Sequence, residues 1–203
     1  MDRQTLKITR EEQILFTLND LGFATRSQLQ RIHDLGGDRN ARRVLNNMSA
    51  YLNSFQDREN VYYLNKKGAE RIGSDKILTR NQKYQHTLMR NELYIHLGQP
   101  NTWKPEVTIN VPDKIKIRMD ACFNDDRNIP VFVEIDNLQK MIENHKKLEH
   151  YKQLKDLKVL QKKYGVFPLI VWLTTTKLRR DKIYKISKEY GLKTDIFLKD
   201  ELL

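Results

Sequence analysis

Three apolar stripes at helical spacing, punctuated by glycine, give way to strand-like runs, and this switch sets the strongest limit on how the first third of the chain folds. Ile14, Leu15, Leu18 and Leu21 form the first stripe, which Gly22 stops. Leu29 and Ile32 belong to a second, ending near Gly36-Gly37. Ala41, Val44, Leu45 and Met48 form the third at i, i+3, i+4, i+7. Thr9-Arg10-Glu11-Glu12 and Thr25-Arg26-Ser27-Gln28 have capping-box spacing, and Asp38 is expected to cap the third helix. Strand-like runs at 51–55 and 61–64 then flank a polar turn at 56–60, and a short closing helix is expected over 65–70.

Helix, helix, helix, hairpin is the order of a winged helix-turn-helix domain. The third helix has a second stripe on its other face: Arg39, Arg42, Arg43 and Asn46. Arginine forks suit guanine edges or phosphate oxygens, and asparagine suits adenine. The candidate DNA contacts are therefore Arg39, Asn40, Arg42, Arg43 and Asn46, with Arg58 in the hairpin turn. The competing reading of this stripe is an ordinary solvated basic face.

With 203 residues, the chain is long enough for one large domain or two small ones. It has 37 Lys+Arg against 26 Asp+Glu, a formal charge of +11 and a pI near 9.6, which favours a polyanionic partner, nucleic acid before others, and the winged-helix order makes that double-stranded DNA. Its single cysteine, Cys122, excludes an internal disulfide and a Cys-rich metal site. The longest apolar run, 167–173, is far short of the ~20 residues that span a bilayer, and the expectation is a cytoplasmic protein with no membrane partner. Gly73-Ser74-Asp75 punctuates the chain, so the expected division is a DNA-binding domain over 1–73, a linker over 74–81 and an α/β domain over 82–203.

In the second domain a helix is expected over 81–98, with Glu92 on the face of Leu88 and Ile95, where a carboxylate is costly unless paired or functional. His86 on this helix is a packing histidine or part of a site. Strands are expected over 103–111, 115–123 and 129–136, a long lysine-rich helix over 138–164, a buried strand over 167–174, a helix over 177–190 and an edge strand over 193–198. Strand alternation puts Asp120, Glu134 and Asp136 on a common face. Carboxylates gathered so closely repel unless a cation sits among them, and hard oxygen ligands suit Mg²⁺ or Mn²⁺. Three solvated strand acids are the alternative. Lys147 and Tyr151, one turn apart on the long helix, share a face.

This α-β-β-β-α-β segment resembles the PD-(D/E)xK nuclease-like fold, with Arg118-Met119-Asp120 in the place of the first motif and Glu134-Ile135-Asp136 in the place of the second. The winged helix, His86-Thr87-Leu88, Met119-Asp120-Ala121, Val133-Glu134-Ile135-Asp136 and then Lys147, Leu148 and Tyr151 together resemble the replication-relaxation family of plasmids and mobile elements, roughly from Thr9 to Leu173. The resemblance implies an α/β (α+β) protein that binds DNA in replication, mobilisation or regulation of such an element, as a homodimer or with other replication or mobilisation proteins. It also implies, as an alternative, a nuclease in which Asp120, Glu134 and Glu92 hold the metal and Asp120, Glu134, Asp136 and Lys147 are catalytic. The lysine usual two residues after Glu134 is Asp136 here, and Lys147 offers a substitute from the adjoining helix. A base-stacking platform for RNA is not evident in the scattered Tyr62, Tyr63 and Trp103.

Overall fold

The computed structural model describes residues 2–81 and 83–202. Met1, Gln82 and Leu203, which stand at the limits of the expected domains, lie outside the described residues. The fold is mixed α/β, and the chain divides into two compact units, Met1–Ile95 and His96–Leu203.

In the first unit, α1 (Arg3–Leu21) begins earlier than its Thr-x-x-Glu box suggests: Asp2 caps it, and Thr9 lies inside the helix with its hydroxyl donating to the Thr5 carbonyl. A two-residue strand β1 (Ala24–Thr25) leads into α2 (Arg26–Ile32). Here the capping box is real, the Thr25 hydroxyl and the Gln28 amide each accepting the other's backbone N–H. Helix α3 (Asp38–Asn47) is preceded by Gly37 at the cap position, and Asp38 caps nothing. Its carboxylate accepts from Arg26 instead, at 2.8 Å. The hairpin of β2 (Leu52–Gln56) and β3 (Asn60–Leu64) completes a sheet of order β1-β3-β2.

Strand alternation splits the hairpin. Leu52, Tyr62 and Leu64 enter the core built from Ile14, Leu15, Leu18, Leu29, Leu45 and Met48, whereas Phe55 and Tyr63 form an aromatic cluster with Phe23 and Tyr84. Helix α4 (Lys66–Arg71), capped by Asn65, closes the hairpin. Gly68 is required there, because a Cβ would collide with the Tyr51 carbonyl, itself bonded to Asn65 N–H.

Residues 74–81, expected as a linker, are pinned to the first unit. Ser74 bonds Asn19 at 2.6 Å, and the Arg80 guanidinium lies 4.4 Å from the Phe55 ring centroid. The following α5 (Tyr84–His96) belongs to this unit almost to its end. Polar bonds anchor it: Arg90 donates to the Leu21 carbonyl left over at the end of α1, and Asn91 donates to the Phe23 carbonyl. The two compact units meet at Ile95/His96.

In the second unit the expected long strands are broken. The run over 103–111 becomes β4 (Lys104–Pro105) and β5 (Thr108–Val111), and the run over 115–123 becomes β6 (Ile115–Arg118) and β7 (Ala121–Asn124). Strands β5 and β6 form a separate hairpin. Strands β4 and β7 join β8 (Pro130–Asp136) in a five-stranded sheet. The lysine-rich helix is also broken, into α6 (Met141–Asp156) and α7 (Val159–Tyr164), at Lys158, whose φ of 56° ends the first helix. Strand β9 (Ile170–Thr174), helix α8 (Lys177–Glu189) and strand β10 (Thr194–Leu198) follow. The sheet order is β10-β9-β8-β7-β4, with β8, β9 and β10 parallel and β7 and β4 antiparallel to their neighbours. Phe132, Trp172, Leu148, Tyr151 and Ile183 share its core, which sets α6 and α8 against one sheet face.

Candidate functional site

Helix α3 separates its two stripes cleanly. Ala41, Val44, Leu45 and Met48 are buried, and Arg39, Arg42, Arg43 and Asn46 are exposed. Arg39 and Arg42 pair with no carboxylate among the described residues. Asn40 is already committed, donating to the Leu35 carbonyl and accepting from Arg43 at 2.6 Å, so it positions Arg43 and the turn before α3. Arg58 is exposed at the tip of the β2–β3 hairpin. A groove of about 390 Å³ runs between α3 and this hairpin, lined by Arg42 and Asn46 on one side and Gln56, Arg58 and Asn60 on the other.

Glu59 also lines that groove and ties the hairpin turn to α2. Its carboxylate accepts from the Ser27 backbone N–H at 2.9 Å and from the Ser27 hydroxyl, at the N-terminus of α2, where negative charge is favoured. Arg26 bridges Glu59 and Asp38. The hairpin turn, α2 and α3 are thus tied by one partly exposed network. The spacing of the apolar residues gives no hint of it, and its only sequence signal is an acid placed beside Arg58.

The acids expected to gather in the second unit divide into two groups. Asp120 stands where the β6–β7 strand breaks, its N–H donating to Val133 and its carbonyl accepting from Glu106. In the β7–β8 register Met119 would lie opposite Ile135, but the break removes that pairing. The Asp120 carboxylate takes its place, accepting the Ile135 N–H at 2.7 Å. Beside it Glu134 is 3% exposed, accepting from the Tyr151 hydroxyl, with Lys147 Nζ 3.2 Å from the same Oε1. Lys147 also donates to the Arg118 carbonyl. Burial, and then the charge of Asp120, push the Glu134 carboxyl well above its ordinary range, opposed by Lys147 and Tyr151. Burial and the Glu134 charge likewise push Tyr151 up, which keeps its hydroxyl a donor.

Asp136 shares the strand face with Glu134 but has different partners. Arg179, from the first turn of α8, grips both its oxygens at 2.6 and 2.5 Å, and the Thr174 hydroxyl donates at 2.6 Å. Asp136 is wholly buried in this pair. Glu92 lies in the first unit. Arg31 donates to both of its oxygens at 2.7 Å, and Gln28 donates to one of them at 2.8 Å, so the costly carboxylate on α5 is paired. His86 sits half-buried on α5 in the first unit. The sequence does not signal Thr174 or Arg179, because β9 reads only as a buried apolar run and α8 only as a helix, and their partner Asp136 is about 40 residues away.

Among the described residues no group of three or more His, Cys, Asp or Glu is placed to hold a metal ion. Asp120 and Glu134 remain as neighbouring carboxylates. Mg²⁺ often takes only one or two protein carboxylates beside water and phosphate, so this pair fits such an ion at its minimum. Among the described residues no helix is long and apolar enough to cross a membrane.

A model of the replication-relaxation family matches residues 15–170, spanning α3, the hairpin, Asp120, Glu134 and Lys147. A comparison with curated proteins gives no match.

Proposed function

The chain belongs to the replication-relaxation family, and from that premise we propose that it is a double-stranded DNA-binding protein acting in replication, mobilisation or regulation of a plasmid or mobile element. In this reading the first unit is a winged helix whose α3 enters the major groove while the hairpin follows the backbone. The observation that carries it is the α3 face: Arg39, Arg42 and Asn46 project without partners among the described residues, and Arg42 and Asn46 line a groove that Glu59 also lines. Arg43, steered by Asn40, and Arg58 at the hairpin tip supply further cationic contacts. A homodimer, or association with other replication or mobilisation proteins in the cytoplasm, is consistent with this role. A gel shift on random-sequence and element-derived duplexes tests it. Arg42→Glu combined with Arg43→Glu should weaken binding by at least about a hundredfold, because attraction to phosphate gives way to repulsion. Unchanged binding would remove α3 from the interface.

A second reading is favoured by one observation: Lys147 reaches Glu134 from α6, supplying a cation where the strand itself offers Asp136. On this reading the second unit has a PD-(D/E)xK-like architecture and is a DNA endonuclease. Asp120 and Glu134 would hold Mg²⁺ or Mn²⁺, which when bound supplies Lewis-acid activation of water and phosphate. Lys147 would neutralise charge on the phosphoryl group, and Tyr151 would fix the Glu134 carboxylate. Cleavage of supercoiled DNA in Mg²⁺ or Mn²⁺, lost in Asp120→Ala, would establish it. Absence of cleavage would leave the binding reading alone.

A further inference from the structure

A pocket of about 570 Å³ lies in the second unit, and neither Asp120 nor Glu134 lines it. Its floor is the sheet face where Lys104, Cys122 and Phe132 stand side by side in the β4-β7-β8 register. Val107, Ile109 and Met119 from the β5–β6 hairpin region form one wall, and Leu160 and Tyr164 of α7 the other. Both walls depend on breaks that the sequence periodicity does not announce, one between β6 and β7 and one between α6 and α7.

The lining includes two lysines, Lys104 and Lys163, and no carboxylate. Neither lysine has an acidic partner among the described residues, and Lys163 leans over the Tyr164 ring at 5.0 Å. An apolar hollow with two uncompensated cations is complementary to an anion with a flat or apolar body. The polar lining narrows the choice. Asn101 lines the pocket with no side-chain partner among the described residues, and Asn124 directs its amide N–H to Asn128, leaving its Oδ1 without a partner among the described residues. An acyl chain has no use for these groups, whereas a nucleobase edge has donors and acceptors to match them. The Tyr164 ring adds a surface on which a base stacks.

We propose that this pocket binds a single nucleotide unit, its base between the aromatic and aliphatic walls and its phosphate on Lys104 and Lys163. The occupant is an unpaired or terminal nucleotide of a nucleic acid, or a free nucleoside monophosphate, and the site works independently of duplex binding by α3.

Cys122 provides the test, since it is the chain's sole thiol and lies on the pocket floor. Burial pushes it up to about 11, so alkylation by N-ethylmaleimide is slow and is best followed at pH 8.5 by intact mass. Deoxynucleoside monophosphates should slow alkylation of the full chain saturably, by about fivefold or more at high occupancy. A short abasic-ended oligonucleotide and one with an unpaired 3′ base, compared in the same assay, distinguish a strand end from a free nucleotide. Lys163→Gln should raise the half-protecting concentration by about tenfold. For Lys104→Gln the protection is taken relative to its own free rate, because Lys104 holds the thiol pKa down. Protection should persist in the Arg42→Glu, Arg43→Glu variant, which separates this proposal from the α3 reading. No protection by any nucleotide overturns it, and so does equal protection by inorganic phosphate or by octanoate.

Discussion

The α3 face and the β8 acids are both concentrations of charge, yet the fold treats them in opposite ways. On α3, Arg39 and Arg42 stand in solvent without carboxylate partners among the described residues. On β8, each acid is buried against a cation of its own, Glu134 with Lys147 and Asp136 with Arg179. Net charge does not distinguish the two units, as 1–95 carries 16 Lys+Arg against 11 Asp+Glu and 96–203 carries 21 against 15. What separates them is compensation. An uncompensated exposed cation stays free to meet an anion from outside, whereas a buried ion pair is already neutralised and constrains the fold.

The largest effect that would break this comparison is expected at Arg179. Replacing it with Met leaves Asp136 wholly buried without its cation, and removing one partner of a buried pair costs about 3–5 kcal/mol. The second unit should then melt about 10 °C lower, at about 2–4 °C per kcal/mol for chains of this size. Asp136→Asn combined with Arg179→Met should recover part of the loss. If Arg179→Met melts like the unaltered protein, the pair is not what holds β8 to α8.

The α3 cations should behave in the reverse sense. Arg39→Met with Arg42→Met removes no internal partner, so stability should stay within about 0.5 kcal/mol. Duplex affinity should fall, and the slope of log K against log salt should shrink by about 0.9 for each phosphate no longer neutralised. A double variant with unchanged slope would mean that these side chains reach bases or nothing. Loss of stability instead would place them in the fold after all.

How much of this was legible in the sequence follows the same division. The α3 stripes could be read directly, because 3.6-residue periodicity puts Val44 and Arg42 on opposite faces whatever the rest of the chain does. The Thr25–Gln28 cap was equally local. Thr9-x-x-Glu12 looked the same but lies inside a helix, since Asp2 supplies an earlier start. Alternation correctly put Glu134 and Asp136 on one face. It gave no warning that the strand through Asp120 breaks, because that break is stabilised by bonds to Glu106 and Val133, partners distant in sequence. The partner of Glu92 was hidden for the same reason: Arg31 lies on another helix 61 residues away. Local order thus fixed which residues share a face, and tertiary partners decided which charges remain available.

The smallest expected effect sharpens the comparison most, because it asks whether Glu134 is a group held for the fold or against it. Its folded pKa is raised above the ordinary carboxyl value, first by burial and then by Asp120. The folded state therefore binds this proton more tightly than the unfolded chain does. The resulting stabilisation is complete below the unfolded value near 4.5 and is lost as pH rises through the folded value. Glu134→Gln has no proton to lose, and its amide can still accept from Tyr151. It should therefore match the unaltered protein near pH 4.5 and exceed it at pH 8, by about 1 kcal/mol, since neutralising a poorly compensated buried charge is often mildly stabilising. Thermal melts across that range measure the difference. A gain that grows with pH would show Glu134 retained at a cost to stability, as expected for a group kept for chemistry with phosphate or a cation. A loss at pH 8 would show instead that Lys147 and Tyr151 compensate the carboxylate fully, making it the structural counterpart of Asp136 and leaving α3 the main open charge for DNA.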